Sequence, residues 1–329
     1  MKKIKKYKKS KIIFENVKNL DKFLPTEDVI VITDEVVNEL CKFKYPTIVI
    51  GTGEKIKNLK TIEYIIEELL KLEADKSTFL LGVGGGIVTD ITGFVASIYK
   101  RGLRFGFIPT TLLAQVDASI GGKNGVNFNK YKNIIGVINQ PKLIFYDMNL
   151  LKTLSRKETI CGFGEIIKHA IIADKKMFKY LEKIYNKTIT KKSLKKLLLN
   201  SLKIKSDIVN KDETEKGIRK ILNFGHTFGH AIEKTSDEYL HGEAIGIGMT
   251  IASKISLNKG YINEKTYDRI IDILKNYGLP TEVPNENLIK VIKNDKKRNN
   301  LKIDLILIKG IGKPVIESIK IDKIDVLYR

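Results

Sequence analysis

The sequence predicts an α/β N-terminal domain with a Rossmann-like parallel sheet, followed by a mainly α-helical C-terminal domain. In the first half, short apolar runs alternate with amphipathic stretches, which is typical of a doubly wound parallel sheet. From about Leu151 onward, helical periodicity dominates instead. We therefore assign residues 1–152 to an α/β domain and residues 153–329 to a helical domain, and expect chemistry in the cleft between them.

Each predicted element follows from its own pattern. Runs of Val and Ile predict buried strands, and apolar residues three or four apart predict helices. In the first half we expect strands at 29–34 and 47–51, a helix at 61–72, and a strand from Thr78 that enters a glycine loop ending at Gly86. In the second half we expect helices at 156–173, 177–186, 193–210, 228–234, 243–258 and 264–277, and a hairpin strand at 301–308.

Composition restricts the class of protein. Of the 329 residues, 43% are hydrophobic. No apolar run approaches the length of about 18 residues that a membrane-spanning helix needs, so we expect no membrane contact. The basic start has no apolar stretch or cleavage site after it, so we expect no secretory signal. Cys41 and Cys161 lie far apart in sequence and are expected to be reduced thiols in a cytoplasmic protein.

The net charge of +21 is the one feature that favours nucleic-acid binding. The lysines are spread along the whole chain, however, and their densest run, residues 187–205, alternates with leucines as an amphipathic helix does. No aromatic stacking platform or zinc-finger spacing accompanies them. We therefore expect no nucleic-acid partner, and interpret the charge as suited to a small polyanionic substrate.

Three of the four histidines, His226, His230 and His241, lie within sixteen residues. Imidazole is a common zinc ligand and acid–base group, so the cluster predicts a metal or proton-transfer site; a helix with histidines on its solvent face is the alternative. Glu165 is a candidate third ligand, because two histidines and a carboxylate form a common catalytic zinc set. Spacing alone pairs His226 with His230, since residues four apart share a helical face.

A glycine-rich segment at 82–90 follows a predicted strand and opens a helix. Its glycines let backbone N–H groups approach a pyrophosphate at the helix N-terminus. The segment is not a G-x-G-x-x-G motif, so a purely structural strand–helix turn is an equal alternative. Asp34, just after the first strand, is a candidate partner for a ribose hydroxyl or, alternatively, an N-cap for the next helix.

Three cations have distinctive settings, although each alone is more often a solvated side chain in so basic a chain. Lys123 lies among glycines, in what we expect to be a flexible loop that delivers an ammonium to an anion. Lys168 follows Glu165 by three residues on a predicted helix, so the two side chains share a face. Arg219 precedes Asn223 by four residues and the histidine cluster by seven, and shares a face with both if this segment is helical.

Several ordered blocks together resemble the 3-dehydroquinate synthase family of sugar-phosphate cyclases. The resemblance covers nearly the whole chain and is strongest from residue 82 to 252. The blocks are GGGIVTDITGF at 84–94, YKRG at 99–102, PTTLLAQVDASIGGK at 109–123, KNIIG at 132–136, GEIIK at 164–168, LNFGHTFGHA at 222–231 and LHGEA at 240–244. The family fold implies an α/β domain that binds NAD, a helical domain that holds zinc, and a homodimer.

The resemblance also implies a role for each matching residue. Zinc, or cobalt in its place, would be held by Glu165, His226 and His241, whereas His230 would face the substrate near its phosphate. The residues implied for NAD are Asp34, Glu54, Lys57, Gly85, Gly86, Asp90, Thr110, Thr111, Asp117, Lys123 and Lys132. Those implied for the substrate are Arg101, Asp117, Lys123, Asn133, Lys168, Lys205, Arg219, Asn223, His230 and one of Lys296 and Lys297. The family often has a polar residue two positions after Asp34, where this chain has Val36. The resemblance implies no role for His169.

The reaction implied is the conversion of 3-deoxy-D-arabino-heptulosonate 7-phosphate to 3-dehydroquinate and phosphate, in the shikimate pathway of aromatic amino acid biosynthesis. NAD would transiently oxidise the C5 alcohol, phosphate would be eliminated, and re-reduction, ring opening and an aldol closure would follow. The chain would thus be an NAD- and metal-dependent carbon–oxygen lyase.

Three other enzyme-family interpretations stay open. The first is a cyclase for another sugar phosphate, such as a deoxy-inosose or valiolone synthase. The second is a metal-dependent alcohol dehydrogenase of similar architecture, which would accumulate NADH. The third is a homologue without activity.

Overall fold

The chain divides into two units, Met1–Leu154 and Ser155–Arg329. The computed structural model describes residues 3–7, 10–129, 131–185, 189–236, 238–284, 288–295 and 302–328. Lys296 and Lys297 therefore lie outside the described residues. Within the described part, no helix has both the length and the hydrophobicity that crossing a membrane requires.

The first unit alternates strands and helices around one sheet. Its elements are β1 Lys3–Tyr7, β2 Ser10–Phe14, β3 Val29–Asp34, α1 Glu35–Leu40, β4 Thr47–Ile50, α2 Leu59–Lys71, β5 Phe79–Gly84, α3 Gly86–Ile98, β6 Arg104–Pro109, β7 Lys123–Phe128, β8 Tyr131–Ile138 and β9 Leu143–Tyr146. The predicted strands are confirmed as β3, β4 and β5, and the predicted helix as α2. These strands read as continuous apolar runs because helices or loops bury both faces of the sheet.

The strand order of the sheet is β1-β2-β9-β6-β5-β3-β4, with six parallel strands from β2 to β4 and β1 antiparallel at the edge. The chain moves outward from β3 to β4 and then returns to β5 on the other side of β3. Such a reversal leaves a crevice at the carboxyl ends of the two strands, where open α/β sheets bind ligands. Because Thr33 pairs with Val83, Asp34 and Gly84 end their strands side by side at this crevice.

A separate hairpin, β7–β8, lies outside the main sheet. Its first residue is Lys123, so the expectation of a flexible loop there is wrong. The chain bends just before this strand, where Gly121 and Gly122 have φ of 109° and 67°, and the strand begins at Lys123, which pairs with Ile138 of β8. The register shifts between Val126 and Phe128, which marks a β-bulge.

The second unit is mainly helical. Its elements are α4 Arg156–Ala173, α5 Lys175–Ile184, α6 Lys191–Lys211, α7 His226–Thr235, α8 His241–Asn258, α9 Glu264–Asn276, α10 Leu288–Asp295, β10 Lys302–Ile308, β11 Pro314–Lys320 and α11 Ile321–Tyr328. Six predicted helices are confirmed as α4 to α9, and the predicted hairpin strand as β10, which pairs antiparallel with β11. The long helix α8 is buried along most of its length and forms the centre of this unit.

The segment before the first clustered histidine is not a continuous α-helix. Ile218–Asn223 form a 3₁₀ helix, and Gly225, with φ of 81°, separates it from α7. The conditional expectation that Arg219 and Asn223 share one helical face with the histidines is therefore wrong. A glycine is needed at the break because a Cβ on Gly225 would lie 2.8 Å from the backbone nitrogen of Met249 in α8.

Candidate functional site

One carboxylate and two imidazoles converge in the helical unit. Glu165 lies in α4 and is fully buried, and His226 and His241 are the first residues of α7 and α8. The Oε1 atom of Glu165 lies 3.8 Å from Nε2 of His226 and 3.7 Å from Nε2 of His241. Potential ligand atoms of all three residues lie within 4.8 Å of one another. Three separate helices therefore bring their polar groups to one point.

These separations fit the coordination of a single zinc-sized cation. Tetrahedral ligands with bonds of about 2.0–2.1 Å lie about 3.4 Å from one another, close to the distances between these atoms. The distances are also too long for good hydrogen bonds. In His226 the other ring nitrogen, Nδ1, lies 3.3 Å from the carbonyl oxygen of Phe224, which favours the tautomer with a lone pair on Nε2. One oxygen and two nitrogen donors suit zinc or cobalt.

The charges around these donors differ between the two histidines. Lys168 pairs with Oε2 of Glu165, both side chains being buried, and this confirms the predicted shared face of α4. Burial and the nearby Lys168 ammonium hold the pKa of His226 well below its ordinary value, so its imidazole is neutral. Burial acts in the same direction on His241, but the carboxylates of Glu165 and Glu233 outweigh it and raise the pKa of His241 to about 9.

Close packing of α4 against α8 brings Glu165 near His241. A Cβ on Gly242 would lie 2.2 Å from the carbonyl oxygen of Cys161, and a Cβ on Gly164 would lie 2.9 Å from that of Gly242. The backbone N–H of Gly242 donates to Sγ of Cys161 at 3.0 Å. Burial raises the pKa of the Cys161 thiol to about 12, so this sulfur is protonated and structural. The two glycines thus let the helices approach backbone to backbone.

His230 lies beside the metal-type cluster on α7. Its ring centroid is 5.3 Å from that of His226 and 6.2 Å from that of His241, and its side chain is exposed. The pair that spacing suggests, His226 with His230, is adjacent in space, but the group of ligand atoms around Glu165 contains His241 instead. His169, the fourth histidine, is fully buried on α4.

Three buried cations lie on three elements that pack against one another: Lys168 on α4, Lys205 on α6, and Arg219 on the 3₁₀ helix 218–223. Three cationic side chains are therefore buried in one part of the unit, and cations buried to this degree normally have anions or polar groups beside them. The guanidinium of Arg219 donates to the carbonyl oxygen of Glu213, and Asn223 donates to the carboxylate of Glu215. Sequence reasoning missed these two glutamates, which no motif distinguishes.

The loop before Arg219 is shaped by one carboxylate. Asp212, at the end of α6, accepts hydrogen bonds from the backbone N–H groups of Lys216, Gly217 and Arg219 at 3.1, 2.7 and 3.0 Å. Desolvation opposes ionisation of Asp212, but these N–H groups outweigh it and lower its pKa. The ionised carboxylate therefore fixes the backbone that carries Arg219.

In the first unit, the glycine turn lies at the carboxyl end of β5 and opens α3. The backbone here is closely packed, because a Cβ on Gly85 would lie 3.2 Å from Thr111, and one on Gly86 would lie 3.2 Å from Ala118. Asp34 ends the neighbouring strand, and its Oδ1 accepts a hydrogen bond from the backbone N–H of Val37 at 2.9 Å. Asp34 thus caps α1, the structural alternative named above, while its position at the crevice also suits a ribose hydroxyl.

A polar cluster links the loop after β4 to the β7–β8 hairpin. The ammonium of Lys57, which is almost fully buried, donates to Asp90 at 2.6 Å and to Asn133 at 2.5 Å. Asn127, in the bulge of the hairpin, donates from Nδ2 to Glu54 at 2.8 Å and accepts at Oδ1 from the backbone N–H of Asn133 at 2.8 Å. Its own backbone N–H donates to the carbonyl of Lys57. The resemblance had implied roles for Glu54, Lys57, Asp90 and Asn133. It did not include Asn127, which links Glu54 to the backbone of Lys57 and Asn133.

The remaining candidates of the first unit occupy loops and strand ends. The backbone N–H of Thr110 donates to the carbonyl of Gly84, and Asp117 lies in a π-helical turn, Ala114–Ala118. Such turns often occur at functional sites. The side chains of Arg101, Lys123, Lys132 and Asn133 are exposed. Arg101 and Asn133 have left-handed backbone, with φ of 64° and 54°, which is uncommon for residues other than glycine.

Comparison with known proteins accounts for most of the chain. Residues 47–161 match the 3-dehydroquinate synthase N-terminal domain and residues 162–298 match the C-terminal domain of the same family. The 3-dehydroquinate synthase of Thermoanaerobacter pseudethanolicus is 40% identical over 328 residues, which cover 96% of this chain and 92% of the relative. This level of identity over nearly the full length is decisive for family membership.

Several solved structures share the fold, and two of them are sugar-phosphate cyclases with bound cofactors. One is a 2-epi-5-epi-valiolone synthase from Streptomyces hygroscopicus subsp. jinggangensis with NAD+ and Zn2+ bound, with a TM-score of 0.87 and 24% identity over 97% of this chain and 95% of that one. The other is a 2-deoxy-scyllo-inosose synthase with carbaglucose-6-phosphate, NAD+ and Co2+, with a TM-score of 0.88 and 23% identity over 100% of this chain and 99% of that one. On the two domain matches and the full-length relative, this chain belongs to the 3-dehydroquinate synthase family.

Proposed function

We propose that this protein converts 3-deoxy-D-arabino-heptulosonate 7-phosphate to 3-dehydroquinate and phosphate, as a step of the shikimate pathway. The observation that supports this most is the convergence of Glu165, His226 and His241 in a chain that is 40% identical to a 3-dehydroquinate synthase over nearly its full length. The reaction is that of a carbon–oxygen lyase, in which elimination of phosphate is followed by ring closure. We further propose a cytoplasmic homodimer.

NAD is assigned to the domain of residues 1–152 and zinc, or cobalt, to the domain of residues 153–329. The carboxyl ends of β3 and β5, with the N-terminus of α3, suit a dinucleotide, because helix N-termini and closely approaching glycines bind pyrophosphate. When bound, NAD supplies reversible hydride transfer and the metal supplies Lewis-acid polarisation of the substrate oxygens. The residues proposed to contact NAD are Asp34, Glu54, Lys57, Gly85, Gly86, Asp90, Thr110, Thr111, Asp117, Lys123 and Lys132.

The residues of the helical unit would bind and orient the substrate. Lys168 holds the Glu165 carboxylate through Oε2, which leaves Oε1 directed at the histidines. Lys205 and Arg219 add buried positive charge that suits the carboxylate and phosphate of a sugar acid phosphate. The exposed imidazole of His230, beside the cluster, is placed to hold or transfer a proton at the substrate phosphate. Arg101, Lys123, Asn133 and Asn223 are the other proposed substrate contacts.

The test is stoichiometric phosphate release from the heptulosonate 7-phosphate with added NAD, before and after removal of metal by a chelator. We expect one phosphate per 3-dehydroquinate formed, no net accumulation of NADH, and loss of activity on chelation that zinc or cobalt restores. Steady NADH accumulation would instead indicate a dehydrogenase. Phosphate release from glucose 6-phosphate, but not from the heptulosonate, would indicate a different cyclase.

A further inference from the structure

The two ring nitrogens of His241 face two different carboxylates. Nε2 lies 3.7 Å from Oε1 of Glu165 on α4, and Nδ1 lies 3.5 Å from Oε1 of Glu233 on α7. The side chain of Glu233 is only 10% exposed, so its carboxylate lies inside the unit, beside the histidine and not in solvent. Glu165 accounts for the Nε2 side in the proposed metal centre. Glu233 is not one of the three proposed ligands.

The local sequence places Glu233 at this point. His226, His230 and Glu233 are spaced by four and three residues on α7, so they share one helical face. The helix α7 packs against α8, whose first residue is His241. The backbone N–H of Leu240, just before it, donates to the carboxylate of Glu243 at 2.7 Å, which fixes the start of α8. The imidazole of His241 therefore projects from a defined backbone toward α7.

A neutral imidazole has one lone pair and one N–H, so a histidine that binds a metal through Nε2 carries its proton on Nδ1. That N–H needs an acceptor when it is buried, and metal-binding histidines usually donate it to a carboxylate or a carbonyl oxygen. The two histidines of the cluster share this arrangement. Nδ1 of His226 faces the carbonyl oxygen of Phe224, and Nδ1 of His241 faces Glu233.

We propose that Glu233 is a positioning residue for the metal centre. Its carboxylate accepts a hydrogen bond from Nδ1–H of His241, which fixes the tautomer and the ring orientation that direct Nε2 toward the metal. This inference rests on the proposed metal site of Glu165, His226 and His241. It adds a carboxylate–histidine–metal chain that runs from α7 through α8.

A competing arrangement of the same side chains defines the test. Ligand atoms of His230, Glu233 and His241 also lie within 4.8 Å of one another, so Glu233 could bind a cation directly together with His230. That arrangement would use Nδ1 of His241 and leave the buried carboxylate of Glu165 aside. The two arrangements differ in what happens to the metal when His230 is replaced.

The experiment measures metal binding without reference to activity. Apo protein is titrated with cobalt(II), whose visible spectrum reports coordination, and zinc affinity is measured by competition with a chelator. Loss of an outer carboxylate of this kind weakens metal binding by about 10–100-fold. We expect Glu233→Ala to fall in this range with an altered cobalt spectrum. Glu233→Gln should lose less, because its amide oxygen still accepts from Nδ1–H. The matched control is Glu238→Gln, an exposed carboxylate five residues away, which should bind metal as the parent chain does.

The outcomes separate the possible failures. Unchanged affinity and spectrum in both Glu233 variants would overturn the inference. An equal loss of metal in His230→Ala and Glu233→Ala would also overturn it, in favour of direct ligation by Glu233. Full metal binding in both Glu165→Ala and His241→Ala would instead contradict the proposed metal centre itself. Circular dichroism of each variant checks that the helices are retained, and Glu233→Gln serves if Glu233→Ala does not fold.

Discussion

Two polar clusters, one in each unit, differ in the separations between their polar atoms. In the first unit, the Lys57 ammonium lies 2.6 Å from Asp90 and 2.5 Å from Asn133, at hydrogen-bonding distance. In the second, Oε1 of Glu165 lies 3.7–3.8 Å from the two histidine nitrogens. Lys57 and its partners are in direct contact and satisfy one another's hydrogen bonds. Oε1 of Glu165 and the two imidazole nitrogens converge at a longer distance, which suits ligands of one cation. The separations and the residue types together distinguish the ion pair of Lys57 and Asp90 from the proposed metal site.

The largest effect is expected from the histidines. His241→Ala should remove the metal and lower kcat/KM by about 1000-fold or more, because the Lewis-acid contribution is several kcal/mol. His230→Ala, the matched control on the same cluster, should keep the metal and lose about 100-fold in kcat. Metal content by atomic emission and steady-state phosphate release check both. If His230→Ala also loses its metal, the division of labour between the two histidines is wrong.

A substitution in the lysine cluster of the first unit, formed by Lys57, Asp90 and Asn133, should lower the stability of the protein more than its metal content. Lys57→Met leaves the Asp90 carboxylate, which is 19% exposed, without its nearest cation and should cost about 3 kcal/mol in the free energy of unfolding. In the double variant with Asp90→Asn, about 2 kcal/mol of the summed cost should be recovered as coupling. Urea unfolding of the four proteins measures this cycle. Additive costs would mean that the two side chains do not stabilise one another.

We also expect the proposed metal site to depend on the close approach of α4 and α8, which a substitution of Gly242 tests. Gly242→Ala places a Cβ against the backbone of Cys161 and should destabilise the protein by about 3 kcal/mol while weakening metal binding. Urea unfolding and zinc competition are the measurements. Normal zinc affinity in Gly242→Ala would show that the spacing of α4 and α8 does not set the metal site.

Periodicity predicted the regular elements well and the irregular ones poorly. β3, β5 and α4 follow from apolar runs or helical spacing, because burial of one continuous face needs only local pattern. The break at Gly225 and the strand that begins at Lys123 depend on contacts with distant residues, which no local pattern carries.

The candidate site divides in the same way. Spacing paired His226 with His230 because four residues make one helical turn, but it could not find His241, which a separate helix brings to Glu165. The histidine cluster included His241, but only the resemblance paired it with Glu165 and His226 as a proposed ligand. Glu233 and Asn127 were missed by both routes, since each is defined by the groups that it touches in the folded chain.

The smallest effect is expected at Asn127, which links Glu54 to the backbone of Asn133 beside the lysine cluster. Asn127→Ala removes the links to Glu54 and to the backbone of Asn133 and should cost about 1 kcal/mol in unfolding free energy, because the site is half-buried and water replaces part of the loss. Glu54, a proposed NAD contact, loses the side-chain amide that donates to it, so the affinity for NAD should fall more than the stability does, by about tenfold. Asn258→Ala, which removes a single exposed hydrogen bond to the carbonyl of Leu327, is the control. Fluorescence titration with NADH and urea unfolding separate the two effects, and equal NADH affinity in both variants would show that Asn127 supports the hairpin without shaping the cofactor site.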